Sequence, residues 1–195
     1  MSTTKLKELV AKEKSEVVNH DFMQLMKSGN INPELYAIYL WNQLKRYQMV
    51  EDCADQENLF DGIEMVKRYN AIRDDFEEIW YDQLGKKRAP EGYLQNTSQY
   101  MKHVREILKD EIADSLQIQA HIYALHLADI EKGQDFKDHV PGASRYHTFD
   151  FDIDAVKDII SERCTDEMAE EANAVFDYNE KILDDLWALD IPKFK

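Results

Sequence analysis

The chain has 195 residues, 44% hydrophobic and 32% charged, with a formal net charge of −15. That length suits one domain around a sizeable core, and so acidic a chain is unsuited to general binding of nucleic acid or an anionic membrane. Gly (6) and Pro (4) are scarce beside abundant Leu, Ala, Lys, Glu and Asp, a composition that favours an all-α protein.

The first helix is expected from Thr4 to Val18, with Leu6, Leu9, Val10, Val17 and Val18 apolar and Thr3 or Thr4 as cap. Asp21 to Lys27 forms a short second helix that stops at Gly29. Asn32 caps, and Pro33 opens, a long helix through Tyr36, Tyr39, Leu40, Leu44, Tyr47 and Val50. A further helical tract covers Leu59 to Leu84, with an aromatic run from Phe76 to Tyr81 that reads as core. Gly85 to Gly92 is a loop holding the compact basic cluster Lys86, Lys87 and Arg88. Tyr93 to Lys109 precedes the central helix, Ser115 to Lys132, which is apolar on almost every side and therefore buried; Asp114 or Ser115 caps it and Gly133 stops it. Gln134 to Asp154 contains Pro141 and Gly142 without helical period and reads as an irregular surface connection. Helices from Ile153 to Arg163 and, capped by Thr165 or Asp166, from Glu167 to Leu189 complete a single-domain bundle of seven or eight helices spanning residues 1–195.

Cys53 and Cys164 lack CxxC spacing and read as free thiols of a reducing compartment. MSTTKLKELV has no apolar run to serve as a signal peptide, so a cytoplasmic location is expected. There is no Gly-rich phosphate loop, GxSxG or HExxH. The carboxylate pairs Asp74/Asp75, Glu77/Glu78 and Asp184/Asp185 point to different helix faces, as a solvated acidic surface requires. His121 and His126 are five residues apart, a poor angle for sharing one metal, and read as hydrogen-bonded bundle histidines. Asp129 is the central helix's polar group in most need of a reason: it reaches solvent at the helix end or faces a pocket.

Several stretches resemble the heme oxygenase family over nearly the whole chain. They are Asp21-Phe22-Met23 with Lys27-Ser28-Gly29, Tyr36, Arg46-Tyr47 before Glu51-Asp52, Ile72 to Tyr81, Ala120-His121-Ile122-Tyr123, Leu127 to Gln134, and Phe176 to Leu186. Leu127-Ala128-Asp129-Ile130-Glu131-Lys132-Gly133-Gln134 resembles a divergent GDLSGGQ signature. The resemblance implies an all-α fold that binds heme between the first helix and a kinked distal helix. It also implies that O2 and electrons from a donor such as ferredoxin or a reductase open the ring to biliverdin, CO and iron. By resemblance Asp129 holds a water network beside the iron-bound oxygen, with Tyr47 and Asn179 as its hydrogen-bonding neighbours. Lys7 and Lys157 stand at propionate-pairing positions, and Tyr123, Ala128, Lys132 and Gly133 at heme-contacting ones.

The departures from the pattern are equally specific. The axial histidine position, eight before Phe22, holds Lys14, and a lysine amine ligates iron only when deprotonated, against an ordinary pKa of about 10.4. His20 is the alternative ligand, poorly placed six residues on. Two signature glycines are Ala128 and Lys132, where a side chain fills space beside the heme face. The arginine expected two residues after Tyr123 is Leu125, and other propionate positions fall on Ala11 and Ser161. Without the resemblance, Lys14 reads as a solvated lysine, Tyr47 as a half-buried core aromatic and Asn179 as an outer-face polar residue. Heme cleavage with altered ligation is the first expectation. The alternative is a non-catalytic protein of the same fold that binds another ligand or a protein partner. A redox partner would dock on Lys86, Lys87 and Arg88.

Overall fold

The computed structural model describes residues 4–108 and 115–195. The caps expected at Thr3 and Asp114 and the helix end at Lys109 lie outside the described residues. The chain forms α1 (Thr4–Leu9), α2 (Ala11–Asn19), α3 (Asp21–Lys27), α4 (Pro33–Gln56), α5 (Tyr69–Glu77), α6 (Gln95–Ile107), α7 (Ser115–Ile122), α8 (Ala128–Lys132), α9 (Ile153–Glu162) and α10 (Ala169–Ala188). Two of these breaks are only kinks. Val10 N donates to Leu6 O and Lys14 N to Val10 O, both at 3.1 Å, so hydrogen bonding runs through the α1/α2 junction. A π-helical turn at Tyr123–Leu127 joins α7 to α8. Among the described residues the ten α-helical segments therefore lie on eight axes, the upper end of the expected range. Among the described residues, extended pairing is limited to the isolated bridge between Ile31 and Phe194, and no helix is long and apolar enough to cross a membrane.

The spine is α4, begun as its sequence directs. Asn32 Oδ1 accepts from Glu34 N at 2.8 Å, and Pro33 fills the first turn, where its missing N–H costs nothing. α4 packs against α5, α6 and α7, while α10 packs against α2, α6 and α7. The core between them includes Leu35, Leu40, Val50, Ile72, Val104, Ile122, Val175 and Ile182.

The helical tract expected from Leu59 begins only at Tyr69. Gly62 has a φ of +76°, and Glu51, buried on α4, accepts from Arg68 N at 2.6 Å and Tyr69 N at 3.2 Å. Those N–H groups are orphans of a helix start, so Glu51 fixes where α5 begins. Gly133 is not the expected stop: its backbone is right-handed and the chain runs on into a 3₁₀ turn, Gly133–Asp135. A Cβ there would lie 3.0 Å from the Phe149 ring, so a side chain at this position would have to push that ring aside.

Asp75 corrects the expectation of a solvated acidic pair. It is fully buried, and its carboxylate accepts from Arg145 N at 3.0 Å, Tyr146 N at 2.8 Å and the Arg145 guanidinium at 3.1 Å. Burial pushes its pKa up, and these donors pull it back. The connection from Gln134 to Asp154 is irregular, as expected, but not superficial. Phe136, Val140, Tyr146 and His147 are all buried in it, and Asp75 anchors the part that carries Tyr146 inward.

Candidate functional site

A cleft of about 610 Å³, including the part open to solvent, lies between α2 and the α7–α8 helix. Its apolar walls include Val17, Val18, Met23, Ala124, Leu125, Phe176 and Leu183, and its polar lining includes Lys14, Tyr39, Gln43, Tyr47, Asp129, Lys132, Tyr146 and Asn179. A mostly apolar slot of several hundred cubic ångströms with a few convergent polar groups is how small-molecule sites are built. The π turn belongs to the site: it changes the helical phase so that Ala124, Leu125, Ala128, Asp129 and Lys132 all reach the lining.

Asp129, Tyr47 and Asn179 do come together, from α8, α4 and α10. The Tyr47 hydroxyl donates to Asp129 Oδ2, and the Tyr146 hydroxyl donates to the Tyr47 oxygen at 3.1 Å. Burial raises the pKa of Tyr47 and Tyr146 well above the ordinary phenol value, so both stay protonated donors. Burial pushes Asp129 up to about 6, with the Tyr47 hydrogen bond holding it down. It is thus the member of this cluster that exchanges a proton near neutral pH. Asn179 lines the cleft, not an outer face, and its Oδ1 accepts from Arg46, whose guanidinium is also bound by Gln43 Oε1 at 3.0 Å. Tyr146 was not singled out from the sequence, and Arg46 entered only as part of a matching stretch, with no role at the site. Arg46 is only 1% exposed in mid-helix, where a charge pattern reads as surface.

Because folding raises the proton affinity of Asp129, its contribution to stability is full below the unfolded carboxyl value of about 3.9 and is lost as pH rises through about 6. Asp129→Asn keeps an acceptor for Tyr47 and removes the buried charge. The ceiling is roughly 3 kcal/mol at 1.36 per pKa unit, and half-burial beside the cleft reduces it. Urea unfolding at pH 7.5 should find the variant about 1–2 kcal/mol more stable than wild type, with the difference gone at pH 4. A variant equally stable or less stable at pH 7.5 would show that Asp129 is not strained by burial.

Lys14 faces the cleft, and its ammonium forms an ion pair with Glu131 of α8. The pair ties the first helical axis to the α7–α8 helix across the slot. His20 is spent elsewhere: its Nδ1 accepts from Phe22 N at 3.1 Å as the cap of α3, and its Nε2 lies 3.2 Å from Asp184 Oδ1. Both ring nitrogens are thus engaged, and His20 is not among the residues that line the cleft. Ala128 and Lys132 are in the cleft lining, and Lys132 makes no ion pair among the described residues. Tyr123, Gly133, Lys7 and Lys157 are not in that lining. Tyr123 is buried, with its hydroxyl unpartnered, Gly133 packs on Phe149, and Lys157 lies 3.7 Å from the exposed Asp154. In the basic loop, Lys86 is bound to Glu34 at 2.7 Å, which leaves Lys87 and Arg88 as its exposed cations.

No family model matches the sequence, and no curated protein matches it. Solved structures do. The fold is similar to that of heme oxygenase from Leptospira interrogans, with a TM-score of 0.74 and 18% identity over 94% of this chain and 98% of that one. Heme oxygenase-1 from the cyanobacterium Synechocystis, in complex with heme, has a TM-score of 0.74 and 18% identity over 94% of this chain and 91% of that one. Heme oxygenase 2 from Chlamydomonas reinhardtii, without heme, has a TM-score of 0.70 and 19% identity over 98% and 99%.

Proposed function

We propose that this chain, whose fold is that of the heme oxygenases, takes a heme-type tetrapyrrole into the cleft between α2 and α8 without a protein side chain bound to the iron. The observation that carries this reading is the cleft itself. Its apolar walls suit a flat macrocycle, and Lys132, a lining cation with no ion-pair partner among the described residues, suits a carboxylate substituent. The iron-ligating part does not fit. No histidine lines the cleft, and the ammonium at the axial position is held by Glu131. A protonated amine has no lone pair to give a metal. Heme cleavage, the first expectation drawn from the sequence, therefore stands second to tetrapyrrole binding alone.

One observation favours that second reading, in which heme is opened to biliverdin, CO and iron with O2 and electrons from a ferredoxin or reductase. Heme, when bound, supplies the iron at which dioxygen is activated. The chain's own part is the Tyr146–Tyr47–Asp129 cluster, in which a carboxyl with a pKa of about 6 holds a proton inside an apolar slot. A donor would dock through Lys87 and Arg88.

Titrating the purified protein with heme and recording its absorption separates the readings. The expected result is a saturable one-to-one complex whose Soret band is unchanged by Lys14→Ala. No saturable complex would overturn tetrapyrrole binding, and a band altered by Lys14→Ala would make Lys14 the ligand. Conversion of the complex to biliverdin on adding a reductase would support the second reading.

A further inference from the structure

Away from the cleft, three potential ligands from three helices converge on one point. His103 is on α6, His121 on α7 and Glu171 in the first turn of α10. One ligand atom from each lies within 4.8 Å of the others. His103 Nε2 is 2.7 Å from Glu171 Oε1, and His121 Nε2 is 2.9 Å from the same oxygen. Both imidazoles thus turn the same nitrogen towards one carboxylate. We propose that His103, His121 and Glu171 form a binding site for a divalent transition ion of the zinc class, with the fourth position open to water.

The ligand set carries the proposal. Two imidazoles and one carboxylate, with a vacant position, are a recurring three-ligand set for zinc and its neighbours, whereas magnesium and calcium require oxygen donors. The atoms now bridged by hydrogen bonds need separate by only a few tenths of an ångström to surround an ion, since ligand atoms about 2.0–2.1 Å from zinc in a tetrahedron lie somewhat over 3 Å apart. A supporting partner is in place as well. The Tyr100 hydroxyl is 2.6 Å from His121 Nδ1, and it can accept from Nδ1–H once Nε2 is bound to metal, which fixes the ring and its tautomer.

Burial defines the way in. His121 is fully buried, but the His103 side chain is 27% exposed, so an ion reaches the site from the α6 side. Arg46 opposes a cation here, with its guanidinium 4.6 Å from the Tyr100 ring centre, although its hydrogen bonds to Gln43 and Asn179 direct it towards the cleft. The simpler structure is a hydrogen-bonded bridge without metal, in which the histidines only tie α6 and α7 to α10.

The test is calorimetric titration of the chelator-stripped full chain with Zn²⁺, paralleled by Co²⁺ titration read by its visible d–d bands. One equivalent should bind and raise the thermal midpoint. His103→Ala should weaken binding at least tenfold with little change in the metal-free midpoint, because His103 is the least buried of the three. His103→Cys, which restores a ligand, should recover binding, so a folding defect in the alanine variant cannot mimic the result. Absence of one-to-one binding by the wild type, or equal affinity in His103→Ala, would overturn the site and leave a hydrogen-bonded bridge only.

Discussion

Replacing Lys14 by histidine should raise heme affinity at least tenfold, equivalent to about 1.4 kcal/mol, and give the complex the absorption spectrum of an imidazole-ligated iron. Lys14 is on the cleft wall of α2, opposite α8, and its ammonium is held by Glu131 with both side chains only about a quarter exposed (25% and 22%). That arrangement engages the amine with a carboxylate and bridges the slot at the same time. A neutral imidazole at this position has a lone pair for iron, and it does not hold Glu131 across the opening as the ammonium does. Losing a partly exposed ion pair costs about 1 kcal/mol of stability at most, little beside a new metal–ligand bond. Heme titration of wild type and Lys14→His checks the expectation. Equal affinities and identical spectra would mean that position 14 does not face the bound iron, and the α2–α8 cleft would lose its claim to be the tetrapyrrole site.

Asp75→Ala should destabilise the protein by about 3–4 kcal/mol, the range for leaving partners of a buried carboxylate unpaired. The variant leaves the N–H groups of Arg145 and Tyr146 without their buried acceptor and removes one of the two carboxylate partners of the Arg145 guanidinium, Glu78 being the other. At roughly 2–4 °C per kcal/mol for a chain of this size, the thermal midpoint should fall by about 10 °C. Asp75→Asn should lose less, since one amide oxygen still accepts while the amide nitrogen faces a donor. The loss should extend to ligand binding, because the same anchor sets Tyr146 against Tyr47 and so shapes the Asp129 end of the cleft. A midpoint within 2 °C of wild type, about 1 kcal/mol or less on that scale, would show that the 145–147 segment is held by its apolar packing alone.

Asp75 also marks the limit of what local pattern conveys. It follows Asp74 on α5, and although its spacing from Ile72 and Ile79 puts it on the apolar stripe, no nearby residue supplies the partner that a buried carboxylate needs. That partner comes from two N–H donors seventy residues further along the chain. The same holds for Lys14, whose sequence context is that of a solvated lysine and whose partner is 117 positions away. The sites read by resemblance divide in the same way. Asp129, Tyr47 and Asn179 meet in the cleft, while His20 is taken by the α3 cap, and Gly133 serves packing against Phe149.

The sequence by itself determined the helices and most of their ends, because apolar spacing and caps such as Asn32–Pro33 act within a few residues. The apolar residues on almost every side of Ser115 to Lys132 also required that this helix be buried. Only the tertiary structure decided which polar groups share a point: Glu51 at the start of α5, Lys14 with Glu131 across the cleft, and His103 and His121 on one oxygen of Glu171. A hydrogen bond is directional and effective only near 3 Å, so its partners are fixed by how helices far apart in the chain come to pack, and no periodicity along the chain records that.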